Sequence, residues 1–520
     1  MEERTAALIA DLAGANGYDG SQLERSARRA AWLAELSPAQ FGEFLEAAQA
    51  QSFPLSVKAD RVLALWLNAA AQARRQQPTA EVEDETLVAL ELAYQGLEPD
   101  SRARGPLLTW LANGASGAEL DLYARLLCDD PPEDDQDIVL ALAPFFQKSR
   151  VRAAGLFPAI LPALAHAALA APVLDLANFL TREKLVAVHP AADRGPQLAD
   201  LLASLVQSLL LLEENPAHFG DGPLELTQRV SRGTALAVSL CDALALIGDA
   251  RVTGKLHQAL AVRHRRIRTE AAAALARLGD KEGAVVLAQL AAEPVARLRV
   301  LAYAAELGLM DKIDPELATP VARAEAELAA WLAEPTQYGL PPTSLELFDQ
   351  RHQRWPGYDS AVECFLFRFQ YAVATKEGAV RSFSNIGIAG PLTHAFVADL
   401  GDLAPDDIYA AFAGWQAQHQ DIREYAVERL SKSELLEVER LKRRLHDEGF
   451  AAIQPERMGY FFSDKALIAT VRRQEVPGVA IADFQTTLFF PSLSQVRPLG
   501  AEAAYSIYKG RKLMRAFNQG

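Results

Sequence analysis

The sequence predicts a mostly helical protein in which stacked helical hairpins, forming an α-solenoid, are followed by a smaller α+β domain. Two observations support this fold class. Helical segments recur about every 30 residues in the middle of the chain, which is typical of helical-repeat proteins. Beyond residue 336, strict alternation of apolar and polar residues indicates β-strands. We therefore expect an irregular helical region at 1–230, regular repeats continuous with it at 231–335, and an α+β domain with two β-hairpins at 336–520.

The composition predicts a soluble, acidic protein. The chain has 520 residues, 50% of them hydrophobic, and a formal net charge of −15. Nucleic acid is not an expected partner, because binding to it requires clustered cations that displace counterions. Cys128, Cys241 and Cys364 are far apart and form no disulfide or metal-binding pattern, which favours a cytoplasmic location. We expect no signal peptide, and no membrane span of about 20 apolar residues.

The segment Arg263–Ala284 contains the clearest helix boundary. Its first helix has one apolar face, made of Ile267, Ala271, Ala274, Leu275 and Leu278. Gly279 can close that helix in a left-handed conformation, and Asp280 can cap the next one. Gly248 lies 31 residues before Gly279, and Gly308 lies 29 residues after it. These intervals predict consecutive pairs of short antiparallel helices.

This pattern resembles HEAT repeats, especially the short bacterial kind found in phycobilisome lyases. In that family an apolar residue and an arginine precede alanines and then Leu-Gly-Asp. Here those positions are held by Ile267, Arg268, Ala271, Ala272, Leu278, Gly279 and Asp280. The resemblance covers about residues 234–309 and departs at Leu309, where an aspartate is expected, so the regular array should end there. It does not extend to the C-terminal domain.

The resemblance also implies a role for four charged residues. In HEAT repeats an arginine and an aspartate resemble a polar ladder between neighbouring repeats, and the residues implied here are Arg268, Arg297, Asp249 and Asp280. A separate basic cluster lies in the turn before Ile267 and consists of Arg263, His264, Arg265 and Arg266. That cluster could bind a phosphate or an acidic segment of a partner, whereas a nucleic-acid groove needs a longer stripe of cations.

The first 230 residues continue the helical pattern with looser spacing, which predicts irregular helix pairs. Within them, Asp129–Asp137 is the sharpest run of charge. Its carboxylates could chelate a hard cation, which binds oxygen ligands. A solvated loop that caps the helix starting near Ile138 is the interpretation we favour. No metal site and no cofactor are predicted.

In the C-terminal region, Glu363–Val373 alternates and predicts a half-buried strand. One face would carry Phe365, Phe367, Phe369 and Tyr371, and the other Arg368 and Gln370. A turn at Thr375–Gly378 would complete the first hairpin. The second hairpin is predicted from Lys465–Arg473 and Gly478–Phe490, joined by Gln474–Gly478. Helices are expected at Pro405–Ala426 and Ser433–Phe450.

The segment Ser382–Phe396 is the best candidate for a ligand site. Gly387 and Gly390 would end a strand, and Pro391 suits the first turn of a helix. Free backbone N–H groups at a helix start attract phosphate or carboxylate groups. The side chains available as partners are Ser384, Asn385, Thr393 and His394. His394 could serve as a general base, since the ordinary pKa of histidine is about 6.5; a purely structural turn is the alternative.

The last segment, Ala504–Asn518, predicts an amphipathic basic helix that could bind a membrane surface, an acidic groove or the solenoid of this protein itself. The sequence shows no recognisable set of catalytic residues beside the repeats. We therefore predict a non-catalytic scaffold with protein partners. The sequence does not determine its oligomeric state. The lyase-type resemblance leaves an alternative, namely an enzyme or a chromophore- or cofactor-handling protein with a site near the junction of the solenoid and the C-terminal domain.

Overall fold

The computed structural model of the protein describes residues 2–15, 28–80, 82–114, 116–147, 151–215, 222–374, 380–492 and 497–518. The chain is mostly helical, and its C-terminal region contains two antiparallel sheets. It forms two compact units, Met1–Leu287 and Ala288–Gly520. The predicted mostly helical class with a C-terminal β-containing region is confirmed.

The first unit is helical throughout its described residues. Its α-helices are α1 (Glu2–Gly14), α2 (Ala30–Ala34), α3 (Pro38–Ser52), α4 (Val57–Gln76), α5 (Asp84–Gln95), α6 (Arg104–Asn113), α7 (Gly117–Asp129), α8 (Asp135–Leu142), α9 (Ala170–Arg182), α10 (Gly195–Glu214), α11 (Pro223–Ile247), α12 (Thr253–Ala259), α13 (Arg265–Arg277) and α14 (Lys281–Leu290), which crosses into the second unit. Short 3₁₀ helices lie at Ala143–Phe145, Val151–Leu156, Leu161–Ala165, Ala192–Arg194 and Ala250–Val252.

Local capping explains where several of these helices begin. Ser37 and Ser116 each form a reciprocal capping box with the residue three positions on, Gln40 and Glu119 respectively. In the acidic run, the Asp134 side chain accepts a hydrogen bond from the Gln136 backbone N–H at the start of α8. The predicted capping role of this run is therefore confirmed.

The helices of the first unit pack in two series. In one series, α4 packs against α2 and α6, α6 against α8, α8 against α9, and α11 against both α9 and α13. In the other, α3 packs against α1 and α5, α5 against α7, and α10 against α12. Helices that follow one another directly, such as α10 and α11 or α12 and α13, connect the two series. The apolar faces are buried between these neighbours, with Trp66 and Tyr94 among the fully buried side chains.

The predicted helix-closing glycines have the expected conformation. Gly248 and Gly279 have φ values of +81° and +83°, and a Cβ atom at either position would meet nothing within 4 Å. Backbone conformation, rather than space, therefore accounts for glycine at these two positions. Asp280 accepts a hydrogen bond from the Gly283 backbone N–H at 2.8 Å, as expected for the cap of α14.

The second unit contains helices and nine described strands. Its helices are α15 (Pro294–Glu306), α16 (Pro320–Leu332), α17 (Pro405–Gln416), α18 (Lys432–Asp447) and α19 (Ala501–Asn518), with 3₁₀ helices at Met310–Lys312, Pro315–Ala318 and Val427–Arg429. Its strands are β1 (Ser344–Arg354), β2 (Ala361–Ala374), β3 (Val380–Ala389), β4 (His394–Ala395), β5 (Ile422–Ala426), β6 (Ala451–Phe461), β7 (Asp464–Arg473), β8 (Val476–Ala482) and β9 (Thr487–Pro491).

Both predicted hairpins are present, but each belongs to a larger sheet. The predicted strand Gly478–Phe490 is two strands, because β8 ends at Ala482 and the chain turns back as β9. Strands β1–β4 form one antiparallel sheet in chain order, and β5–β9 form another. The predicted turn Thr375–Gly378 lies outside the described residues. The second hairpin turns on Gln474 and Glu475 alone, with φ values of +49° and +66°. It is tighter than the five-residue turn we predicted.

Two other predictions for this region need correction. The helix expected at Pro405–Ala426 ends at Gln416, and Ile422–Ala426 forms β5, whose Tyr425 pairs with Met458. Strand β2 carries its four aromatic rings on one face as predicted. Its other face is also covered near Cys364 and Leu366, which are fully buried, because helices pack there.

The core of the second unit is layered. Leu328 and Leu332 of α16 pack on the aromatic face of the first sheet. Helices α17 and α19 share one apolar cluster with the opposite face of that sheet and with one face of the second sheet, so they lie between the sheets. Leu441 and Leu445 of α18 cover the remaining face of the second sheet.

The C-terminal basic helix packs on α17 of its own unit, a surface that was not among those predicted. Helix α19 crosses α17 so closely that a Cβ atom on Gly510 would lie 1.7 Å from the Ala410 carbonyl oxygen. Its Arg511 and Lys512 form ion pairs with Asp407 and Asp464. The helix is thus an integral part of the second unit.

Two segments of the described chain, Ala192–Glu214 and Glu225–Ile247, are long and apolar enough to cross a membrane by length and composition. Core helices of soluble proteins pass the same test, and both segments contribute buried side chains to a helical core that includes Leu202 and Leu244.

Candidate functional site

The turn predicted to bind an anion does not lead into a helix. Strand β3 ends at Ala389, and the chain returns as β4, where Ile388 pairs with His394. Pro391 therefore lies in a tight strand connection, and the predicted helix N-terminus is wrong. Gly387 has a different role, because a Cβ atom there would lie 2.8 Å from a methyl carbon of Leu328 in α16. Close packing of α16 on the sheet explains that glycine.

The polar side chains of this segment do not converge. Ser384 is exposed, whereas its neighbour Asn385 is buried, as expected for adjacent residues on a strand. The Asn385 amide donates to the carbonyls of Phe396 and Ala398, both at 3.0 Å, and its Oδ1 accepts from the Leu400 N–H. Asn385 thus fixes the loop after β4.

Two further members of the predicted site lie nearby. Gly390 has φ +107°, and a Cβ atom there would lie 2.3 Å from the Glu363 carbonyl oxygen, so the turn itself requires glycine. Thr393 is half-buried in the same turn. Neither residue brings a ligand donor next to Asn385.

His394 lies in an aromatic cluster. Its ring stacks on Trp415 at a centroid distance of 3.8 Å, and its other ring neighbours include Trp331 at 5.6 Å and Phe396 at 5.2 Å. Burial among these rings lowers the pKa of His394 to about 4. The imidazole is therefore neutral at physiological pH and a weak base.

The implied ladder residues make three different kinds of contact. Asp280 accepts from His257 Nε2 of α12 at 3.1 Å, which links α14 to the preceding helix pair. Arg297 is buried and donates to the carbonyls of Ala291 and Ala322, and it also pairs with Glu325 of α16.

Asp249 instead forms a local contact with the exposed Arg251, two residues away. Arg268 is half-buried on α13, and its side chain is not without an interaction partner. Inter-helix links are thus present at Asp280 and Arg297, through partners that the pattern did not specify.

The basic cluster at the start of α13 lies close to acidic groups. The Arg263 backbone N–H donates to the carboxylate of Glu213 at 3.0 Å. Burial raises the pKa of Asp175, and the positive charge of Arg266 nearby acts in the opposite direction. His264 is exposed and Arg265 half-buried. Nearby acidic groups thus reduce the positive potential of the cluster.

A groove between α4 and α8 in the first unit was not predicted from the sequence. We call it the α4–α8 groove; its cavity of about 330 Å³ is lined by Arg61, Ala64, Leu65, Asn68, Arg102, Asp134, Gln136, Asp137 and Leu140. Leu65 and Leu140 are 52% and 48% exposed there. The available signal was an apolar residue on an otherwise polar helix face, because Arg61, Leu65 and Asn68 follow at helical spacing.

Asp137 gives the groove an unusual carboxyl group. The side chain packs against Gly105, where a Cβ atom would lie 2.8 Å from that of Asp137. Burial, reinforced by the negative charge of Asp134, raises the pKa of Asp137 to about 6, against the opposing effect of Arg102. The carboxyl group can therefore donate a hydrogen bond under mildly acidic conditions.

Among the residues that the structure describes, no group of three or more His, Cys, Asp or Glu side chains is arranged to hold a metal ion. Cys128, Cys241 and Cys364 are free thiols. No family model matches the chain, and no curated protein matches it at a significant level.

Proposed function

We propose that the protein is a non-catalytic scaffold whose first unit is an α-solenoid that binds another protein. The packing order of the helices supports this proposal. Helices two positions apart in the chain, such as α4 and α6 or α11 and α13, lie side by side, and a second series runs beside the first. In a solenoid each helix pair buries its apolar face only against its neighbours, and the resulting long surface is suited to binding proteins.

The proposed repeat type is HEAT-like. The left-handed glycines at positions 248 and 279 and the link from Asp280 back to His257 support it. The buried contact of Arg297 with α16 is comparable to a link between successive helix pairs.

The proposed contact surface is the α4–α8 groove. Leu65 and Leu140 offer an apolar floor, and Asn68 and Gln136 offer amide groups that can bond an extended backbone. The charges of Arg61 and Arg102 are balanced by those of Asp134 and Asp137. The expected occupant is therefore a protein segment with an apolar side chain seated between the two leucines, since a neutral groove with an apolar floor favours neither nucleic acid nor a highly charged peptide.

Site-specific photo-crosslinking in cells tests this proposal. Benzoylphenylalanine placed at Leu65 or Leu140 should give the same covalent adduct with one protein. Val88 and Leu92 on α5 are matched controls, because they are also exposed but belong to the other helix series. They should not give that adduct.

A second arm uses Leu65→Glu in the chain that carries the crosslinker at position 140. A charge in the apolar floor should remove most of the adduct, since an unpaired carboxylate against an apolar partner is costly. The proposal is wrong if positions 65, 88, 92 and 140 crosslink alike, or if the adduct survives the Leu65→Glu substitution unchanged.

The lyase-like alternative required converging donors at Gly387–His394. These donors do not converge, because Asn385 is bonded to the loop after β4 and His394 is stacked on Trp415. Cytoplasmic location remains a prediction from the cysteine pattern.

A further inference from the structure

Asp137 is a buried carboxyl group in the wall of the α4–α8 groove. The residue is only 9% exposed, and its side chain lines the cavity. Among the described residues no donor forms a hydrogen bond or an ion pair with this carboxyl group, although its oxygens are not sealed from the cavity. Buried ionisable groups are normally paired, because an unpaired buried charge is costly. A ligand in the cavity would supply that partner.

The charges that face Asp137 come from the elements around the groove, and they leave an excess of one carboxylate. The negative groups are Asp60, Asp134 and Asp137 itself, and the positive groups are Arg61 and Arg102. Asp60 accepts hydrogen bonds from the Ser101 hydroxyl and the Arg102 backbone N–H. On α6, Arg104 is paired with Asp130 instead. A single positive charge on a ligand would therefore complete the balance.

An apolar path leads to this carboxyl group. Leu140 follows Asp137 by three residues on α8, so the two side chains are neighbours on one face of the helix. Leu65 lines the same cavity from α4. The cavity volume of about 330 Å³ is enough for one long side chain. Such walls suit a cation on an apolar stem, because lysine and arginine bury their methylene groups along apolar surface and keep the charged end at a polar partner.

The packing of Asp137 favours lysine over arginine. A Cβ atom on Gly105 would lie 2.9 Å from Asp137 Oδ1, so one side of the carboxyl group lies against the backbone of α6. A guanidinium group binds a carboxylate best through two parallel hydrogen bonds, which require both oxygens to be open. An ammonium group is a compact charge and can bind through one oxygen.

We propose that the protein segment bound in the α4–α8 groove inserts a lysine side chain, whose methylene groups lie over Leu65 and Leu140 and whose ammonium group donates to the Asp137 carboxylate. This inference rests on the proposed function, since it names the side chain that the partner places in the groove. The lysine stem takes the place of the apolar side chain between the two leucines.

The pairing should depend on pH. Burial, reinforced by the negative charge of Asp134, raises the pKa of Asp137 to about 6. The carboxylate is therefore ionised at about pH 7.5 and mostly protonated at about pH 5, one unit below its pKa. A protonated carboxyl group does not attract an ammonium ion, so lysine binding should weaken about tenfold over this interval.

Saturation-transfer difference NMR on the full chain, at constant ionic strength, tests the proposal. The probes are Nα-acetyl-lysine methylamide and Nα-acetyl-norleucine methylamide, whose side chain has a similar stem without the ammonium group. At neutral pH the lysine probe should bind with a dissociation constant below about 10 mM, and about tenfold or more tightly than the norleucine probe. Nα-acetyl-arginine methylamide should bind more weakly than the lysine probe.

Variants assign the lysine preference to one carboxyl group. Asp137→Asn should remove both the preference for lysine over norleucine and the loss of binding at low pH. Asp135→Asn is the matched control, because Asp135 is an exposed carboxylate of the same helix that pairs with Arg232 outside the cavity. It should change neither property.

Four results would overturn the proposal: no binding of the lysine probe, equal binding of the lysine and norleucine probes, tighter binding of the arginine probe, or an unchanged lysine preference in an Asp137→Asn chain with unchanged circular dichroism. Crosslinking at Leu65 and Leu140 separately tests whether a protein occupies the groove. An adduct without lysine preference overturns this inference alone. A lysine preference without an adduct contradicts the scaffold function and leaves the lysine site as a property of the groove.

Discussion

At the scale of single residues, His394 shows how packing changes the chemistry of a side chain. Sequence alone suggested a general base with an ordinary pKa. Stacking on Trp415 and burial beside Phe396 instead hold its pKa at about 4. The folded-state pKa is thus below the unfolded value of about 6.5. Its contribution to stability is present above pH 6.5 and is lost as the pH falls towards 4.

We expect NMR titration of the His394 ring to give a midpoint near pH 4. Trp415→Ala should move the midpoint up towards 6.5, because it opens the ring to water. Trp415→Phe keeps an aromatic ring against the imidazole and should leave the midpoint low. A wild-type midpoint near 6.5 would show that the stacked, desolvated arrangement does not hold in solution.

Asn385 illustrates what a pattern of residue types cannot reveal. Its amide was a candidate ligand donor, but its hydrogen bonds go to backbone groups, among them those of Phe396 and Leu400. A local sequence does not show which distant carbonyls lie within reach of a side chain. The Leu65–Leu140 pair was missed for the same reason, since the two leucines are 75 residues apart.

At the scale of elements, the helix boundary at Gly279 was predictable because its cause is local. A left-handed residue after a helix is a property of a few consecutive residues, and the glycine at +83° confirms it. The helix predicted after Pro391 failed because a non-local contact decided the outcome. Pairing of Ile388 with His394 extends the sheet and leaves no room for a helical turn.

We expect Gly279→Ala to destabilise the protein by about 1–2 kcal/mol, because an L-residue is strained in the left-handed region. Space is not the reason, since the added Cβ atom would meet nothing within 4 Å. Gly254→Ala in α12 is the matched control, because that position is equally open but lacks a positive φ. It should be neutral or stabilise by up to about 1 kcal/mol.

Urea unfolding followed by circular dichroism measures both effects. Equal changes in Gly279→Ala and Gly254→Ala would contradict the assignment of a left-handed helix end at position 279.

At the scale of the whole molecule, the high helical content was predictable from the sequence, whereas the architecture of the second unit was not. Nine described strands form two sheets, but the sequence pattern indicated only two hairpins. Strand β1 escaped notice because its side chains are half-buried or exposed along its length and do not alternate clearly. The layering of sheets and helices depends on contacts between segments as distant as Ile386 and Tyr505, which no local pattern encodes.

The acidic character of the chain leads to a further prediction. We expect no binding to a DNA duplex at about 150 mM salt, where exposed charges are largely screened. Glu213 and Asp175 lie close to the basic cluster and reduce its attraction for phosphates.

Fluorescence anisotropy with a labelled duplex measures the binding of the protein to DNA. Salt-sensitive binding that is lost when Arg263, Arg265 and Arg266 are all replaced by serine would show instead that the cluster is a nucleic-acid contact.

The close crossing of α17 and α19 has a consequence for biosynthesis. Helix α19 is the last described element that the ribosome produces, yet it completes the layer between the two sheets. Until it leaves the exit tunnel, the nascent chain exposes the inner faces of both sheets, including Ile388 and Ile468. Folding of this unit therefore cannot be completed before α19 emerges, and until then the nascent chain offers chaperones an apolar surface that the folded unit conceals.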